Sequence, residues 1–185
     1  MGEQHKKHNR REHLNDFHLN VAGEYVYDGA LYACQNDDAK QRRSKRAVWG
    51  MAAILTVAVA AGGCIPAPGM QNCFYVLLPY LGEFLGAASV IWALAKLGMD
   101  WGTVREYNYK KSVAVLPVRT AVTAVFSGLG IVCELIFFFV NDHAGQTFFA
   151  LLYVLLKLIA LLSVLVLRAE IMQAEWDKLP KKNNF

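Results

Sequence analysis

Charge is what this sequence has least of. Only 18% of its 185 residues are Asp, Glu, Lys or Arg, against about 25% in an ordinary water-soluble domain, and none of them falls between Ala47 and Gly82. Apolar letters reach 55% and the mean hydropathy is +0.26. A disordered chain needs the opposite balance, and a collagen-like rod needs a glycine at every third position, so both classes are excluded. The net charge of +4 is confined to short segments, which argues against a nucleic-acid partner. Also missing are a nucleophile with its base and a glycine loop that cradles phosphate, so no enzyme and no cofactor is expected. His5, His8, His13 and His18 lie close together, but their spacing matches no fixed ligand set and no cysteine accompanies them, so no metal is expected either.

What the sequence has instead is apolar length. A helix needs about 20 predominantly apolar residues to cross a hydrocarbon core of about 30 Å. Four stretches qualify, at residues 47–65, 74–97, 118–140 and 147–168. Pro66 and Pro68 break the first from the second, because a fixed φ and a missing N–H cannot continue a helix. Pro117 stands just before the third, and Asn141 to Gly145 supplies a polar turn before the fourth. The expected fold is an all-α polytopic membrane protein, with four transmembrane helices arranged as two helical hairpins.

Orientation follows from the cations, since short loops rich in Lys and Arg stay on the cytoplasmic side. Eighteen of the 19 Lys and Arg residues lie in residues 1–46, in 96–119 or from Arg168 onward; the nineteenth is Lys157, inside the fourth span. Both termini are therefore expected in the cytoplasm, with the plasma membrane as the expected location. Trp49, Trp101 and Trp176 mark the inner boundary, and Phe74, Tyr75, Phe148 and Phe149 the outer one, as an aromatic belt would. The run Lys40 to Arg46 carries five cations, which topology alone requires. It also precedes an apolar stretch ending in Ala61, Gly62, Gly63 and Cys64, as in a secretory signal, but a 46-residue polar leader does not suit that reading.

The division expected is a cytoplasmic N-terminal segment at 1–39, the four-helix domain at 40–168 and a cytoplasmic tail at 169–185. Residues 1–16 are too polar to bury a core and are expected to be mobile. Within 17–34, Tyr25, Val26 and Tyr27 and then Ala30, Leu31 and Tyr32 flank Asp28 and Gly29. An Asp-Gly pair between β-favouring residues predicts a small β-hairpin turning at that pair, or else a loosely ordered tyrosine-rich segment. Such a hairpin would lean on the bilayer surface or on the loop carrying Tyr107, Tyr109, Val113 and Val115.

Four cysteines are present. Cys64 and Cys73 bracket the first external connection, where either a structural disulfide or two free thiols would fit. Their spacing is too wide for a redox Cys-x-x-Cys pair. Cys133, in a span, and Cys34, in the cytoplasm, are expected to be reduced.

Three ionisable residues sit inside spans: Glu83 in the second, Glu134 in the third and Lys157 in the fourth. Each would cost about 2.5 to 3.5 kcal/mol at a helix centre, so all three should face inward. Their own helix faces agree, because Pro79, Tyr80, Gly86 and Ala87 neighbour Glu83, Ser127 and Gly130 neighbour Glu134, and Ala150, Tyr153 and Ala160 neighbour Lys157. At 1.5 Å per residue from the outer ends, the three lie about 13, 10 and 15 Å deep, near one level. An intramembrane polar cluster of Glu83, Glu134, Lys157, Tyr80 and Tyr153 is expected. One lysine against two carboxyls leaves an excess acid, which could exchange a proton or capture a cation. Gly82 with Gly86, and Ala124 with Gly128, provide small-xxx-small spacings for close helix packing.

On these residues the expected function is a non-enzymatic accessory, subunit or regulatory membrane component. Its partners would be the bilayer and a second copy or a larger membrane complex. The alternative is a small proton- or cation-coupled transporter or channel-like protein using the Glu/Glu/Lys cluster.

Overall fold

A computed structural model describes residues 17–19, 23, 25–27, 29–98, 101–141 and 147–179. The expectation of a mobile segment at 1–16 falls outside them. Two strands, β1 (Phe17–Leu19) and β2 (Tyr25–Tyr27), are followed by β3 (Leu31–Cys34), the long helix α1 (Asp38–Cys64), the short α2 (Pro68–Asn72) and α3 (Phe74–Leu97). Then come β4 (Thr103–Arg105), α4 (Glu106–Lys111), α5 (Leu116–Val140), α6 (Thr147–Met172) and β5 (Trp176–Lys178). Four of the helices, among the described residues, are long and apolar enough to cross a membrane. The fold is all-α and polytopic, as the sequence implies.

Helix limits follow local chemistry. α1 ends where Ile65 turns extended before Pro66, α2 opens on Pro68 and α5 carries Pro117 in its first turn, where a missing N–H leaves no bond unmade. α3 stops at Gly98, whose φ of +72° lies in the left-handed region that only glycine enters without strain. Pro79 lies inside α3, one turn before Glu83.

The long helices form a ring in the order α1, α6, α5, α3, with the lightest contact between α1 and α3. Sequence neighbours are thus not always the tightest spatial neighbours, since α1 packs chiefly on α6. The buried seam of α5 runs Leu116, Thr120, Thr123, Ser127, Gly130, Glu134 and Phe137, and that of α6 runs Ala150, Tyr153, Lys157, Ala160, Val164, Leu167 and Ile171. Both alternate steps of three and four, the spacing that keeps one stripe turned towards a bundle axis.

Burial is inverted relative to a water-soluble bundle. Val57 is 68% exposed and Phe139 80%, whereas Glu83 and Glu134 are 0% exposed. Apolar side chains outside and ionisable groups inside match hydrocarbon surroundings, where lipid solvates the former and nothing solvates the latter.

At one end of the bundle the chain segments before α1, between α3 and α5 and after α6 meet in a three-stranded antiparallel sheet with β3 in the centre. Tyr32 lies opposite Val104 on one side and Lys178 on the other. Its ring stacks on Tyr109 of α4 at 4.1 Å, and Trp176 packs near both Tyr109 and Trp101. This corrects the hairpin expected at Asp28 and Gly29. β2 pairs instead with β1, Tyr25 opposite Leu19, and Gly29 is not among the glycines of positive φ; Asp28 lies outside the described residues. Once β3 can pair on both edges and stack Tyr32 on Tyr109, tertiary pairing outweighs the local turn preference. The segment expected as the C-terminal tail supplies β5.

Small residues divide by position. A Cβ on Gly86 would stand 2.6 Å from Thr123 Oγ1 and 3.3 Å from Thr123 Cα, and one on Gly82 would strike the Phe126 ring, so α3 and α5 approach where glycine permits. Of the second small-residue pair, half-buried Ala124 packs against the cluster of Leu55, Ala87 and Ala160, while Gly128 faces open space. The packed glycine of α5 is Gly130, which lies against the Lys157 side chain. Gly86→Val is therefore expected to destabilise the bundle by about 1 to 3 kcal/mol through overpacking, while Gly128→Val leaves stability unchanged, as read by denaturant unfolding in detergent.

Candidate functional site

The interior holds a polar cluster built from three helices. Glu83 of α3 and Lys157 of α6 form a buried salt bridge, and the Ser127 hydroxyl of α5 donates to the other oxygen of Glu83. α3 and α6 are not adjacent in the ring, so the pair runs across the bundle, which the four-carbon lysine stem makes feasible. The Lys157 ammonium lies 4.6 Å from the Tyr80 ring centroid and 5.1 Å from that of Tyr153. In a desolvated site such faces are worth about 2 kcal/mol to a cation. The Tyr80 hydroxyl donates to the Val59 carbonyl of α1 at 3.4 Å, which draws the fourth helix into the arrangement. Of the five residues expected to meet, Glu83, Lys157, Tyr80 and Tyr153 do.

Glu134 does not join them by any bond. Both its carboxyl oxygens are buried with no hydrogen-bond partner among the described residues. They face α2, where a Cβ on Gly69 would collide with the carboxyl. The common depth expected from helix length holds for Glu83 and Lys157. Glu134 lies closer to the α1–α3 connection, and the single ammonium is already engaged by Glu83. The Tyr153 hydroxyl is also buried without a partner among the described residues.

The connection from Ile65 to Cys73 is sunk into the bundle at its middle, while Pro66, Gln71 and Asn72 stay exposed. Ala67, Pro68 and Gly69 are buried, and Ala67 packs with Val76, Phe137 and Tyr153. Sequence reasoning missed this seat, and its available signal was Pro68 followed by Gly69, a helix start with no side chain at the point of contact. It also missed Ser127 as the partner of Glu83, having placed it with Glu134 on helix spacing alone. Cys64 and Cys73, at either end of this connection, are free thiols, as are Cys34 and Cys133, so the disulfide considered for the first pair is not formed.

Cations near the helix ends are held by backbone oxygens. Arg119 donates to the Ser89 carbonyl at 2.6 Å and Arg168 to the Pro117 carbonyl. Ser44 of α1 donates to Glu170 of α6 at 2.8 Å. Among the described residues no group of three His, Cys, Asp or Glu could hold a metal ion. No family model, no curated protein and no solved structure matches this chain.

Removing one partner of an enclosed pair strands the other. Lys157→Met is expected to destabilise the fold by about 3 to 5 kcal/mol, and Lys157→Met combined with Glu83→Met by clearly less than the sum of the two single changes. A double-mutant cycle of unfolding in detergent measures the coupling, and additive losses would remove the pair's claimed role.

Proposed function

We propose that this chain is a non-enzymatic multi-pass membrane component, an accessory, subunit or regulatory protein, whose internal charges hold the bundle rather than carry a substrate. The supporting observation is the state of Glu83 and Lys157. Both are enclosed, bonded to each other, and surrounded by Ser127, Tyr80 and Tyr153, an arrangement that suits a structural pair. The sheet that gathers three segments at one end offers β4 and β5 as its edges, a surface suited to a partner protein or a second copy.

The cation distribution supports placing that sheet and both termini in the cytoplasm, with the plasma membrane as the location. A membrane-impermeant maleimide applied to intact cells should then label the exposed Cys64 and reach Cys34 only after permeabilisation. Labelling in the reverse order overturns the orientation.

A second reading, a small proton- or cation-coupled transporter or channel-like protein, draws support from the unbonded carboxyl of Glu134. Glu83→Gln and Glu134→Gln separate the two when each is assayed for folding in detergent and for proton-coupled flux in liposomes. The component role expects Glu83→Gln to weaken folding and neither protein to conduct. Flux in the wild type that Glu134→Gln abolishes with folding intact establishes transport instead. An accessory subunit should also retain its partner through mild-detergent purification.

A further inference from the structure

Glu134 unites full burial with two carboxyl oxygens that bond to nothing among the described residues. In its ionised form such a group is strongly disfavoured unless water or a cation reaches it, whereas the neutral acid tolerates the enclosure. The walls are of unequal strength. Three sides are long helices packed over most of their length, and the fourth is the five-residue α2. The hydrogen bonds of the connection are local ones. Ala67 donates to Ile65, Gln71 to Ala67, Cys73 to Gly69 and the Asn72 side chain to Pro68. It is seated on the bundle by apolar packing of Ala67 and by the fit of Gly69 against Glu134 and Phe137. A unit bonded within itself and held to its neighbours by a small apolar face opens first when something beneath it changes.

We infer that Glu134 is a proton-binding site, and that the connection Ala67–Asn72, buried at Ala67, Pro68 and Gly69, is the element whose seating its charge state governs. With the proton in place the connection closes the bundle. Loss of the proton leaves an anion under Gly69, which gains water only as that segment lifts. The groups facing Glu134 do not supply the counter-charge. Lys157 of α6, the cation that acts on Glu134, is itself bonded to Glu83 of α3, and among the described residues Tyr153 of α6 and Tyr75 of α3 also face Glu134, phenols that ordinarily ionise at more alkaline pH than a carboxyl. The inference rests on neither functional reading above, because its test needs neither a partner nor flux.

Hydrogen exchange of the full-length protein in lipid nanodiscs, corrected for the intrinsic effect of pH, reads the seating directly. Amides of 65–73 are expected to be protected at acid pH and to lose at least about tenfold of that protection as the pH rises, while Glu134→Gln keeps them protected throughout. Infrared difference spectra should show a carboxylic acid band at acid pH that Glu134→Gln removes. Identical pH dependence of exchange in wild type and Glu134→Gln, or no such band, overturns the inference. If Glu134→Gln does not fold, Gly69→Ala serves in its place. Its added methyl meets the carboxyl, so it should leave 65–73 exposed at every pH, and retention of the wild-type pH response would equally overturn it.

Discussion

The structure depends on one constraint, that an ionised group inside hydrocarbon must find its counter-charge within the protein. Glu83 and Lys157 meet it by reaching across the bundle from helices that are not neighbours in the ring. The bond therefore fixes more than two side chains. Ser127 ties α5 to the same carboxylate, and Tyr80, over the ammonium, reaches α1 through Val59. A slip of any one helix by a residue would rotate its contribution out of the site by about 100°, so a few polar atoms set the register of four apolar rods. Apolar packing alone specifies register weakly in lipid, because the tails are as apolar as the side chains.

The same constraint explains the small residues. Backbones come close where Gly86 faces Thr123 and where Gly130 lies against the lysine stem, and this closeness lets Lys157 lie between two tyrosine rings rather than in a water-filled gap. Glu134 is the counter-example within the same molecule. It shares the seam of Ser127 and Gly130 on α5, yet it has no cation of its own, and its enclosure is completed by a turn of chain instead of a helix face. Stability and adjustability are thus separated along one helix.

At the other end the chain is stitched by strand pairing. β3 pairs with strands more than 70 and 140 residues further along, joining the segments that precede, interrupt and follow the spans. The stacked Tyr32 and Tyr109 and the adjoining Trp101 and Trp176 form an aromatic layer over the apolar core of Val48, Leu94 and Leu167. This holds the bundle's ends in a defined relation although the connection between α3 and α5 is long.

The sequence by itself determined the four spans, their breaks at Pro66 and Pro68 and ahead of Pro117, and the inward direction of Glu83, Glu134 and Lys157. Those properties follow from hydropathy over one helix length and from the cost of charge in lipid, both of which act locally along the chain. It also made the contact surface legible at Gly82, Gly86 and Ala124, but not at Gly128, since small spacing does not say which face turns inward. Only tertiary structure decided that Glu83 takes the lysine and leaves Glu134 unbonded, that Ala67, Pro68 and Gly69 are buried against the bundle, and that β3 pairs with strands from two distant segments. Each is a competition between partners remote in sequence for one ammonium, one cavity or one strand edge, and its outcome depends on distances that exist only after the helices have packed.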